Sequence, residues 1–124
     1  MAFQLVSAYT HRSNAAERAI QTWKTHFKTG LALVDDNFPV KEWDRLLEQC
    51  DITLNLLCSA RVNPHISAYA YMNGNYDYNK HPLVPPGMKV VTHDPVDKKP
   101  SWGFNGEEAW TIGSALNHYR CIKC

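Results

Sequence analysis

Apolar side chains recur at helical spacing through the first half of this chain, and then the pattern stops. Ala16, Ile20, Trp23, Phe27 and Leu31 fall on one stripe at about 100° per residue. Trp43, Leu46, Leu47, Cys50, Leu54 and Leu57 form a second, longer stripe. Each stripe demands a surface to pack on, because burying a large apolar side chain contributes about 1.5–3 kcal/mol. The first helix is therefore expected over residues 15 to about 29, with Gly30 as its stop signal. The second should start at Pro39, a residue suited to a first helical turn, and run to about Cys58. Trp23, Phe27, Trp43 and Leu54 are expected in the core, as are Cys50 and Cys58, read as small hydrophobes.

Asn63-Pro64 breaks the chain, and residues 67–72 read as a short third helix closed by Asn73-Gly74. From Asn75 the character changes. Prolines at 82, 85, 86, 95 and 100 punctuate the chain. Strands are expected over residues 88–93, 109–112 and 118–123, with turns over 94–106 and 113–117 between them. At the other end, Phe3-Gln4-Leu5-Val6 reads as a strand or strand end, and residues 7–13 as a polar loop.

Size and charge narrow the functions available. A chain of 124 residues suffices for one domain, or a small domain with an appendage. Its formal net charge of +1 makes it no general magnet for nucleic acid, so any such binding needs a local face. No apolar run approaches the roughly 20 residues that span a bilayer, and the N-terminal residues lack the basic start of a secretory signal. An intracellular protein is expected, and disulfides among Cys50, Cys58, Cys121 and Cys124 are not. His118, Cys121 and Cys124 have a spacing reminiscent of zinc ligands. In a strand, however, residue 121 points away from 118 and 124, so a strand end is the better reading.

The local face is at the start of the first helix. Asn14-Ala15-Ala16-Glu17-Arg18-Ala19-Ile20 places a cap residue at Asn14 and one carboxylate, Glu17, in the first turn. Glu17, Gln21, Lys24 and Lys28 make a polar edge beside the apolar stripe, flanked by Arg18. Lys24, Lys28 and Arg18 are candidate contacts for a nucleic-acid backbone, and so are His11 and Arg12 in the preceding loop. Lys80, Lys89, Lys98 and Lys99, with His81 and His93, add basic character to the second half.

Four features in order carry a resemblance. The first is a strand end and loop running into Asn14–Ile20, and the second a helix bearing Trp23 and Phe27. The third is Trp43-Asp44-Arg45-Leu46-Leu47, followed by Thr53-Leu54-Asn55-Leu56-Leu57 and Arg61-Val62-Asn63-Pro64. The last is Gly74, then Pro85-Pro86-Gly87-Met88-Lys89-Val90, Trp110-Thr111-Ile112-Gly113 and His118-Tyr119-Arg120. In this order the chain resembles the C-terminal part of an LTR-retrotransposon integrase, a nucleotidyl transferase of the RNase H-like superfamily.

The resemblance implies a partial RNase H-like α/β layer, one strand plus the C-terminal helices, in residues 1–74. A small and incomplete SH3-like β module would follow in residues 75–124. It also implies DNA joining by phosphoryl transfer at two divalent ions, Mg²⁺ or Mn²⁺, held by two aspartates and a glutamate. Glu17 matches the glutamate, as catalytic residue and metal ligand.

The chain departs from the pattern upstream, where residues 1–16 contain no Asp or Glu. Asp35, Asp36, Asp44 and Asp51 come too late to serve. A fragment or remnant without activity or a bound metal of its own is therefore expected, acting in the nucleus on DNA. Its partners would be DNA, further copies of itself, or the remainder of an integrase. Having lost the sheet, the chain should be marginally stable or self-associating in isolation. The rival readings are a non-catalytic nucleic-acid-binding module and a protein-interaction or oligomerisation domain.

Overall fold

The computed structural model describes residues 14–93, 95, 97 and 101–124. The expected strand at 3–6, the loop with His11 and Arg12, and Lys98 and Lys99 lie outside the described residues. What is described is a mixed α/β arrangement of three α-helices and two small antiparallel sheets.

Helix α1 spans Ala15–Ala32 and α2 spans Leu47–Leu57. Asn14 caps α1 as its sequence suggests, its Oδ1 accepting the Ala16 N–H at 3.0 Å. Gly30 does not end α1. The helix continues for two residues and closes when the Leu33 N–H turns back to the Gly30 carbonyl at 3.1 Å. Gly30 faces α2, where a Cβ would meet Cys50 Sγ at 3.4 Å, close to ordinary van der Waals contact.

The expected second helix is also divided. Val40–Leu46 is a 3-10 segment with Pro39 as its cap, and regular α-helix begins only at Leu47. Glu42, at φ −97° and ψ 16°, is where helical geometry lapses. The division turns Trp43 outward to 47% exposure while Leu46 is buried to 1%.

Phe27, Phe38, Leu46 and Cys50 form the core cluster, with Trp23, Val34, Leu47 and Trp110 packed against it. Trp23 stacks on Phe27 at 5.2 Å between ring centroids, and Phe27 meets Trp43 edge-on. Trp110 meets Phe38 at right angles. The helical stripes thus pack on each other and on one residue of the second half. Two expected core residues do not reach this cluster: Leu57 and Cys58 are exposed. The apolar stripe of α2 is longer than the surface that the other described residues offer to cover it.

Helix α3, Ala68–Asn73, is capped by the Ser67 hydroxyl, which accepts the Ala70 N–H, and ends at Gly74 with φ +82°. Strands β1 (Lys89–His93) and β2 (Gly106–Trp110) pair antiparallel, with Lys89 opposite Trp110 and His93 opposite Gly106. Strands β3 (Gly113–Ser114) and β4 (Ile122–Lys123) pair likewise. The strand expected at 109–112 therefore lies earlier, and the strand expected at 118–123 shrinks to its last part. Gly113 and Ser114, expected in a turn, are strand residues.

Polar groups explain the shift and hold the second half to the first. Thr111, 2% exposed, turns inward. Its hydroxyl donates to the Pro85 carbonyl at 2.7 Å and accepts the Met88 N–H at 3.0 Å. Ser114 donates through Oγ to the Pro82 carbonyl, while its N–H goes to Oε1 of the buried Gln49 of α2 at 3.1 Å. Gly87 is required twice over. Its φ is +70°, and a Cβ there would stand 2.6 Å from Val34 Cγ1. Its carbonyl accepts the Asp35 N–H at 3.0 Å, which ties it to the loop after α1.

Candidate nucleic-acid interface

The amphipathic pattern of α1 determines which of its side chains can meet a ligand. Phe27 is buried, and Trp23 is half-buried with its indole N–H donated to Asp51 of α2. That fixes the rotation of α1 on α2 and commits the Trp23 ring to the interior. On the outer edge, Lys24 and Lys28 are exposed, Arg18 is exposed, and Glu17 is half-buried in the first turn. The helix carries three of these cations against one carboxylate, so its outer side is locally basic.

Arg18 does not lie on the lysine edge of α1 but beside it. Arg18 lines a groove of about 550 Å³ with Gln21, Thr22, Thr25, His26 and Leu54. Lys24 and Lys28 are not in that groove. Arg18 thus lines a groove beside the lysine edge. The reason is angular: Arg18 precedes Lys24 by six residues, which on a helix is about 120° away from a full-turn multiple.

His26 is the groove residue that sequence reasoning missed. Its Nε2 lies 3.0 Å from the Thr53 hydroxyl of α2. The available signal was its place eight residues after Arg18, on the same side of the helix. Thr22 and Thr25 line the same groove, but Thr22 donates its hydroxyl proton to the Arg18 carbonyl. Arg18, Lys24 and Lys28 form no salt bridge among the described residues, whereas Arg45, Lys89 and Lys123 pair with Glu42, Glu108 and Glu48.

Electrostatics elsewhere are structural. Asp35 sits at the turn after α1, where the Asn37 N–H at 2.9 Å, and more weakly the Trp110 indole, hold its carboxyl below the usual range. Burial, with Asp51 nearby, pushes the Cys50 thiol up. Burial does the same to Tyr76, whose hydroxyl donates to the His81 carbonyl.

The donor set for a divalent ion is short. Among the described residues no group of three or more His, Cys, Asp or Glu side chains could hold a metal. Magnesium takes about six hard oxygen ligands in octahedral array, of which Glu17 could supply one or two. The described residues do not bring together the ligands of a two-metal centre. His118, Cys121 and Cys124 are all exposed, and the Cys121 thiol points to the Tyr119 carbonyl. No helix among the described residues is long and apolar enough to cross a membrane. Comparison with protein-family models, with curated proteins and with solved structures finds no match.

Proposed function

We propose that this chain is the back portion of a retroelement integrase, which meets DNA along the outer edge of α1 and performs no chemistry by itself. In this reading α1 and α2 are the last helices of an RNase H-like layer, and the second half begins an SH3-like module. Glu17 is the remaining ligand of a magnesium or manganese pair that the complete enzyme would hold, acting in the nucleus. One observation carries the reading: α1 opens on Glu17 and then presents Lys24 and Lys28, both exposed and unpaired, along the same edge. A metal ligand at the head of a lysine-edged helix suits an enzyme that must hold a phosphodiester beside its ions.

The test uses the purified chain, labelled DNA ends and magnesium. Binding without cleavage or joining is expected. Magnesium-dependent joining that disappears in Glu17→Gln would overturn the claim that the chain is inactive alone.

A second reading, an interaction or oligomerisation domain, draws on a different feature. Leu31, Val34, Phe38, Val40 and Trp43, together with Asp35 and Asp36, line a groove of about 480 Å³, and Leu33 beside it is 73% exposed. Exposed apolar patches of this kind mark contact sites. A melting temperature that rises with protein concentration would favour it, and a sharp melt independent of concentration would remove it.

A further inference from the structure

One non-glycine residue among the described ones has a positive φ: Arg120, at +53°. It lies in the turn that joins β3 to β4. That turn is closed by Ala115 N–H to the Cys121 carbonyl at 2.9 Å and by His118 N–H to the Ala115 carbonyl at 3.1 Å. A turn of this form ends in a left-handed residue, where glycine or asparagine is the usual choice because a Cβ is disfavoured. An arginine there is strained without local benefit to the backbone. Strain held in a defined place is a reason to ask what the side chain does.

The surroundings answer that question. The Arg120 N–H donates to the Lys80 carbonyl at 2.7 Å, so two cationic residues forty positions apart emerge side by side. Lys80 is itself braced, since Asp77 Oδ1 accepts the N–H groups of Asn79 and Lys80 at 2.9 and 3.1 Å. Tyr119, next to Arg120, is 67% exposed, and His118 is exposed as well. The side chains of Lys80, His118, Tyr119 and Arg120 make no hydrogen bond, ion pair or ring contact among the described residues. The nearby Lys123 is different, being paired with Glu48. The result is an exposed aromatic residue next in sequence to Arg120, whose backbone is bonded to that of Lys80, with all three side chains uncommitted among the described residues.

We propose that this turn, with Lys80 beside it, takes an unpaired stretch of nucleic acid: Arg120 and Lys80 hold neighbouring phosphates, and the Tyr119 ring stacks on a base. An aromatic face next to backbone cations is the chemistry that single strands select, because each base offers a π-face and each linkage a charge. The proposal rests on the reading that this chain contacts nucleic acid, but it uses a surface separate from the lysine edge of α1.

The experiment titrates the purified chain with a fluorescent dT 12-mer, an abasic 12-mer of equal charge, and a 12-base-pair duplex. Tyr119→Ala should weaken dT 12-mer binding roughly tenfold, with Tyr119→Phe close to wild type. The abasic strand should bind more weakly and be indifferent to Tyr119→Ala. Arg120→Gly should lower the salt slope for the dT 12-mer by about 0.7, while its melting temperature holds or rises as the backbone strain is relieved. Unchanged dT 12-mer affinity in both Tyr119→Ala and Arg120→Gly would overturn the proposal. Failure of the α1 reading is separable: there, Lys24→Ala/Lys28→Ala leaves duplex binding unchanged while the Tyr119 effect on the single strand persists.

Discussion

The two halves of this molecule are held by different forces. The helical half is cemented by apolar burial, with Phe27 of α1, Leu46 of the 3-10 segment and Cys50 of α2 in one cluster. The second half has little apolar core of its own. Beside Ala115, its most deeply buried members, Thr111 and Ser114, are polar, and they bond to the carbonyls of Pro85 and Pro82 and, through Ser114, to Gln49. Apolar packing tolerates small displacements and depends on volume. A hydroxyl buried among carbonyls depends on direction, and its loss leaves partners unsatisfied. The helical half should therefore respond to side-chain size, and the second half to the removal of single atoms.

The sharpest way to break that contrast is at Leu46. Leu46→Ala empties a 1% exposed site and should cost about 2–5 kcal/mol in chemical denaturation. A loss below 1 kcal/mol would mean that the cluster is not the stabilising centre. Next is Thr111→Val, which keeps the volume but strips the hydroxyl. It leaves the Met88 N–H and Pro85 carbonyl without that partner and should cost about 1–3 kcal/mol. A neutral result would show that the second half is held by shape rather than by hydrogen bonds.

These two residues also show what could be read in advance. Leu46 was legible because helical spacing exposes a stripe. Thr111 was not, because an inward threonine in a short strand has the same sequence appearance as an outward one. Gly30 misled for a related reason: glycine often marks helix ends, but it is also tolerated inside a helix, and α1 runs on to Ala32. The period of α2 was clear, but how much of that stripe would find a partner was not, so Leu57 and Cys58 are left at the surface. At the candidate interface, the exposure of Lys24 and Lys28 followed from the wheel. The separate groove of Arg18 and His26 depends on where α2 lies, and the strain at Arg120 depends on how its turn closes. Local spacing puts Arg18 and His26 on one side of α1, but it encodes neither the Leu54 wall of that groove nor the closure of the turn.

A smaller effect sharpens the boundary between the halves. Asp35 has its carboxyl lowered from 3.8, first by the Asn37 N–H, and it also receives the Trp110 indole. A lowered folded-state value means the unfolded chain binds the proton more readily. The contribution is therefore complete above about pH 4 and is lost as pH falls through the folded-state value. Asp35→Asn should flatten the acid limb of a stability–pH curve below that point. An acid limb identical to wild type would disconnect Asp35 from the joint.

The smallest effect is chemical. Cys50 is buried with its thiol pushed up, whereas Cys58, Cys121 and Cys124 are exposed. A disulfide reagent should titrate these three in the native state and reach Cys50 only on unfolding. Equal reactivity of all four would mean that the helical core opens readily.

The lysine edge of α1 as a DNA backbone contact is tested most directly by the salt dependence of duplex binding, compared between the wild-type chain and Lys24→Ala/Lys28→Ala. The account predicts that the slope of log Kobs against log salt becomes shallower by about 0.9 for each lysine removed, with stability changed by less than about 0.5 kcal/mol. An unchanged slope, or no measurable duplex binding by the wild-type chain at low salt, would contradict it.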